Sequence, residues 1–184
     1  MSARLLVLGC FLQTVAAFAE PPPNVLAMET QWAAENGQPT TLGAWRGRRY
    51  VLSFVYTSCA STCPLTTQKL KRLDAALAKA GKPLDVVVVS LDPTRDTPSA
   101  VAQYRVTHSL QNATRWHVLV GDEPQLRTVT MLLGFRYAKN AESGVILHDN
   151  TVYLIGPGGE VETSMSSLDQ TMTPFVDAVP KGRL

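Results

Sequence analysis

Cysteine is scarce in this chain of 184 residues: there are three, and only Cys59 and Cys63 lie close together. Three thiols cannot build the dense disulfide framework of a small secreted scaffold. The fold must therefore rest on a hydrophobic core, which a chain of this length can bury. Charge of one sign is lacking too. Seventeen basic residues stand against fifteen acidic ones, for a formal net charge of +2. No basic stripe of the kind nucleic acid requires is present; Lys69, Lys71 and Arg72 read as the solvated side of a helix. There is no internal repeat. Nor is there an apolar run of the roughly 20 residues that a membrane-spanning helix needs.

What the N-terminus does have reads as an export signal. Arg4 supplies a positive start, and Leu5 to Val15 is apolar apart from Gln13 and Thr14. Ala17-Phe18-Ala19 then offers small residues at the two positions a signal peptidase reads. Cleavage after Ala19 competes with retention of residues 5–19 as a short anchor. A lipoprotein reading of Val7-Leu8-Gly9-Cys10 leaves almost no apolar segment ahead of the cysteine. The chain thus divides into a leader (1–19), a linker opening on Glu-Pro-Pro-Pro (20–27) and one domain (28–184). The domain is expected outside the cytoplasm, in the periplasm or on the outer side of the membrane. In that oxidising setting Cys10 leaves with the leader, and two idle thiols as close as Cys59 and Cys63 should pair or serve a purpose.

Periodicity outlines the domain. Met28–Trp32 and Thr40–Leu42 flank the turn dipeptide Asn36-Gly37 and suggest an N-terminal β-hairpin. Tyr50–Tyr56 reads as a buried strand. From Pro64 to Ala80, Leu70, Leu73, Leu77 and Ala80 mark one face of a helix that Gly81 ends. Leu84–Leu91 is nearly all apolar, as in a parallel strand covered on both faces. Pro98–Thr107 is a second helix, Val118–Val120 a short strand, and Glu123–Leu133 a third helix capped by Asp122. Val145–Ile155 and Glu160–Ser164 flank Pro157-Gly158-Gly159 as a second hairpin, and Thr171–Val179 closes the chain as a helix. A central βαβ unit followed by a hairpin and a helix is the thioredoxin layout. The expected fold is α/β and thioredoxin-like, a mixed central sheet flanked by helices, with a β-hairpin ahead of it.

The chemistry concentrates between the first core strand and the first long helix, in Thr57-Ser58-Cys59-Ala60-Ser61-Thr62-Cys63-Pro64. Proline is favoured at the first helical position, which makes Cys63 the expected N-cap. A thiol at the positive end of a helix dipole is pushed toward thiolate, the form that binds metal or attacks a disulfide. Three residues between the cysteines permit a disulfide but lean toward a metal held by both sulfurs. A purely structural bridge here would close a very short loop and gain little.

Two thiolates select a soft ion, Cu(I) or zinc. A third ligand must come from a histidine. His108 follows the second helix among polar residues and reads as a surface side chain. His117 opens a short strand and suits a half-buried structural role. His148 precedes the strand Thr151–Ile155, whose start lies beside the first helix's N-terminus in thioredoxin topology. Two sulfurs and one imidazole make a trigonal site for Cu(I) and, with an added oxygen donor, for Cu(II).

Three segments carry a family resemblance: Phe54–Cys59 through Cys63-Pro64, Ser90-Leu91-Asp92-Pro93-Thr94-Arg95-Asp96-Thr97-Pro98, and His148 ahead of Val152–Ile155 and Gly158-Gly159. Over roughly residues 25–180 the chain resembles the Sco/SenC family of copper-binding, thioredoxin-like assembly factors. The resemblance implies that Cys59, Cys63 and His148 hold one copper ion per chain. It also implies a monomer that delivers copper to the dinuclear centre of cytochrome c oxidase, or prepares that centre's cysteines, with the copper-binding subunit as partner. Nucleic acid is not expected among its partners. Asp92 matches a family aspartate that either approaches the site and supports a ligand or caps the tight Pro93 turn. The chain departs from the family at Ala60-Ser61-Thr62, where many members have Pro-Asp after the first cysteine. It departs again at Asp149, where many have serine. A thiol–disulfide oxidoreductase would use Cys59 and Cys63 as its redox-active pair without His148. A peroxiredoxin-like peroxidase would need an arginine near its cysteine, and none stands near Cys59 in sequence.

Overall fold

A computed structural model describes residues 22–28, 30–58, 63–166 and 171–181, with Cys63 and Pro64 described at the backbone only. Five strands form the main sheet in the order β5 (Trp116–Leu119), β4 (Asp85–Ser90), β3 (Tyr50–Val55), β8 (Val152–Ile155) and β9 (Val161–Met165). Its centre is β3, fully buried, and β4, buried from Val86 onward. They run parallel with Val51 opposite Val86 and Val55 opposite Ser90. The near-continuous valine run reads as it does because both faces of β4 are covered. On its far side β4 pairs in parallel with β5. On the other side β3 pairs antiparallel with β8, and β8 with β9.

The helices follow their sequence signals. Helix α1 spans Cys63–Lys79 and buries Leu70, Leu73 and Leu77. Helix α2 spans Pro98–Thr107, with the Thr97 side chain accepting from Ala100 N. Helix α3 spans Glu123–Leu132 and is capped by Asp122, which accepts from Gln125 N. Helix α4 spans Thr173–Ala178. The N-terminal hairpin is β1 (Gln31–Ala33) with β2 (Pro39–Thr41), turned at Gly37, whose φ is +77°. The fold is the thioredoxin-like mixed sheet flanked by helices that the periodicity predicts.

Three local differences have physical reasons. Cys63 is the first residue of α1 rather than its cap, a one-residue shift of the kind common at helix ends. Lys69 is fully buried, not solvated, because the first turns of α1 sink Thr66, Thr67, Lys69 and Leu70 together; Lys71 and Arg72 are exposed as expected. The apolar run 145–155 is not one strand. It breaks at residues 149–151 into β7 (Ile146–His148) and β8, and β7 pairs antiparallel with β6 (Tyr137–Lys139), a strand the pattern did not reveal. This separate two-stranded hairpin carries His148 as the last residue of β7, directly opposite Tyr137.

Where the chain enters the domain it is pinned at the other end of the sheet. Val25 N donates to Gly159 O (2.8 Å), and Val161 N donates to Pro23 O (3.1 Å). Gly159 has φ +90°, and a Cβ there would lie 2.4 Å from Leu26 Cγ. Only glycine satisfies both the backbone and the space.

Candidate metal centre

His148, at the end of the β6–β7 hairpin, lies close in the fold to the start of α1. Cys59 and the loop 59–62 lie outside the described residues; Cys63 is placed by its backbone at the first position of α1. That end of α1 is tied to the histidine segment. Thr66 Oγ1 donates to Asn150 Oδ1 at 2.9 Å, joining the first turn of α1 to the residue two beyond His148. The helix dipole places about half a positive charge at this end.

His148 has a defined setting. Its ring lies against Phe135 (centroids 6.1 Å, nearly parallel) and edge-on to Tyr56 (5.9 Å). Phe135 in turn packs on Phe54 of β3 at 4.3 Å, so an apolar wall runs from the central strand to the imidazole. Nδ1 lies 2.6 Å from the Asp149 carbonyl oxygen. A carbonyl only accepts, so Nδ1 carries the proton. Burial pushes the His148 pKa down, against a smaller upward pull from Asp149. The neutral ring therefore has its lone pair on Nε2, the arrangement usual for an imidazole that binds metal.

Asp149 holds the base of this hairpin. Its carboxylate accepts from Arg136 N (3.0 Å) and Arg136 Nε (3.2 Å), while Asp149 N donates to Arg136 O (2.9 Å). Burial is the largest single influence on Asp149 and raises its pKa, but the hydrogen bonds and charge of Arg136, with a smaller pull from His148, together hold the carboxyl below its usual range.

Asp92 is fully buried and committed elsewhere. It accepts from Thr94 Oγ1 (2.8 Å), from Lys139 Nζ (2.9 Å) and from Arg95 Nε. Burial raises its pKa, yet the bonds from Lys139, Thr94 and Arg95 win, and the carboxyl sits below the ordinary value. Its main chain caps the Pro93 turn, with Arg95 N and Asp96 N both donating to Asp92 O. Asp92 therefore closes the turn and also grips β6 through Lys139. Sequence reasoning missed its neighbour Asp96, 2 % exposed. That carboxylate accepts from Ser90 Oγ (2.5 Å) and from Thr57 Oγ1 (2.6 Å) and N (3.1 Å). Burial pushes the Asp96 pKa up despite these bonds. The only sequence signal was the Asp-Thr-Pro helix start, which points to capping rather than to Thr57.

The other histidines are elsewhere. His108 ends α2 against Tyr104, with ring centroids 4.5 Å apart, and is half-buried rather than on the surface. His117 packs on Trp45 and approaches Asp85 at the opposite end of the sheet. Among the described residues no three of His, Cys, Asp and Glu cluster as a metal site, and two of the three candidate ligands contribute no described side chain.

The sequence model of the SCO1/SenC family matches residues 20–179. The chain belongs to the SCO1/SenC family. A Stutzerimonas stutzeri protein whose name refers to copper binding is 27% identical over 174 residues, covering 87% of this chain and 83% of that protein. The SCO1 homologue of Bacillus subtilis is 22% identical over 147 residues, covering 79% and 75%. Among solved structures, the copper-bound ScoI of Arabidopsis thaliana superposes with a TM-score of 0.70 at 22% identity, over 82% of this chain and 92% of that one. SCO1/SenC members thus share the arrangement described above at the level of fold.

Proposed function

We propose that this chain is a copper-binding metallochaperone acting outside the cytoplasm, with Cys59, Cys63 and His148 as the ligands of one copper ion. The observation that carries the reading is the Thr66–Asn150 hydrogen bond. It brings the first turn of α1, where Cys63 begins the helix, against the segment of a histidine whose Nδ1 is protonated and whose Nε2 holds the lone pair. Two thiolates and an imidazole suit soft Cu(I) and, with an oxygen donor, Cu(II). Membership of the family, and relatives named for copper binding and for SCO1, support the same ion. The recipient is the copper-binding subunit of cytochrome c oxidase, which would take copper or have its cysteines prepared. Copper is cargo here, so the protein's work is to hold the ion in a site it can leave.

Metal analysis tests the proposal. The reduced protein should take up close to one copper per chain and hold it against a weak chelator. Uptake unaffected by alkylation of the two thiols would overturn it. A second reading, reduction of a partner's disulfide, uses the same sulfurs. It is favoured by the position of Cys63 at a helix N-terminus, where thiolate is stabilised.

Export is part of the proposal. Residues 1–19 act as a cleaved leader, so the mass of the protein recovered from the exported fraction should correspond to a chain starting at Glu20. A full-length mass in the membrane fraction would make residues 5–19 an anchor instead.

A further inference from the structure

The loop that joins β4 to α2, residues 91–97, touches both pieces of chain that carry candidate ligands. Its two aspartates do so separately. Asp96 reaches back to the end of β3: one carboxylate oxygen takes the hydroxyl and amide of Thr57, two residues ahead of Cys59, and the other takes the Ser90 hydroxyl. Asp92 reaches the other way, to the hairpin that ends in His148. Lys139, on β6, donates to it, and so does Arg95, whose Nη2 continues to the Gly144 carbonyl (2.6 Å) at the hairpin turn. Lys139 pairs with Ile146, two residues before His148. Both carboxylates are buried, at 0% and 2% exposure. Buried carboxylates with several donors have few alternative positions, since leaving any donor unpaired is costly.

We propose that this loop is a two-sided clamp that sets the separation of the cysteine loop from His148. Asp96 is a positioning residue for Cys59, and Asp92 with Arg95 positions His148. The proposal rests on the copper reading for its histidine half. Its cysteine half concerns the thiol pair with or without metal. Neither aspartate touches the ion. Each acts by fixing the chain from which a ligand projects, and such supporting contacts typically change metal affinity about 10- to 100-fold.

Two measurements on the same variants separate the halves: copper affinity by competition with a chelator, and the equilibrium between dithiol and disulfide in glutathione buffers. Asp92→Asn should weaken copper about tenfold and leave the thiol equilibrium within about twofold of wild type. In a His148→Ala background the same substitution should have no further effect on copper, because coupled residues are non-additive. Asp96→Asn should change both measurements, copper affinity about tenfold and the thiol equilibrium beyond the margin set for Asp92→Asn. Thr57→Val and Lys139→Met break the same contacts from the partner side and should reproduce the two patterns if an aspartate variant does not fold. Indifferent variants of a protein that binds copper overturn the clamp alone. So does an Asp92→Asn or Lys139→Met variant that shifts both measurements equally, which is what general loosening would give. A wild-type protein that takes up no copper overturns the reading and the histidine half together. In that case the thiol equilibrium of Asp96→Asn still decides the cysteine half.

Discussion

Replacing His148 with alanine should lower copper affinity by at least about 100-fold while leaving the fold intact. A ligand supplies more than the supporting contacts that cost 10- to 100-fold when removed, so that range is a floor. The fold should survive because His148 sits at the last position of a short outlying hairpin, only half-buried. Its loss leaves Phe135 packed on Phe54 and the Arg136–Asp149 contacts in place. The same variant divides the two functional readings. Thiol–disulfide exchange needs only Cys59 and Cys63, so electron transfer with a dithiol partner should persist at close to its original rate. Copper affinity is read by chelator competition and exchange by the rate of disulfide reduction. Unchanged copper affinity would remove His148 from the site.

Truncating Leu70 to alanine is the second large effect, and it concerns stability. Leu70 is fully buried on the face of α1 that also carries Leu73 and Leu77. A leucine-to-alanine change at such a site costs about 2–5 kcal/mol, because the lost transfer energy is joined by a cavity that neighbours only partly fill. For a domain of this size that corresponds to a fall in melting temperature of roughly 5–15 °C. Since α1 begins at Cys63, the loss should also weaken copper binding at temperatures close to the new transition and leave it unchanged well below. Calorimetry of the apo protein checks the first part. A shift under about 2 °C would mean that α1 is not seated on the core as described.

These effects were legible in the sequence to different degrees. Helix α2 could be bounded from Thr97 and Pro98 because a cap and an N-terminal proline are local signals. The valine run of β4 announced a strand covered on both faces. The β6–β7 hairpin was hidden because Val145 to Ile155 reads as one apolar strand. The break falls at Asp149 and Asn150, whose partners Arg136 and Thr66 are 13 and 84 residues away. Lys69 was misjudged because charge suggests solvent, whereas the first turns of α1 are enclosed on more than one side. Asp96 looked like part of a helix start. Its contact with Thr57, 39 residues distant, exists only once β3 and β4 are parallel neighbours. Local chemistry singled out Cys59 and Cys63, while His148 rested on the expected topology and the family resemblance. The contacts that would hold them in register are long-range and became visible only with the fold.

Exposed apolar side chains stand near the same site. Leu65 lies in the first turn of α1, and Leu147 is next to His148, 54% and 71% exposed.

The absorption spectrum of the Cu(II) protein, recorded for wild type and for Cys59→Ser, Cys63→Ser and His148→Ala, tests the central claim most directly. Sulfur-to-copper charge transfer requires thiolate bound to the ion. The wild-type protein should show such a band at one copper per chain, and each substitution should abolish or displace it. A band that survives any one of the three unchanged in position and intensity would contradict a site built from Cys59, Cys63 and His148.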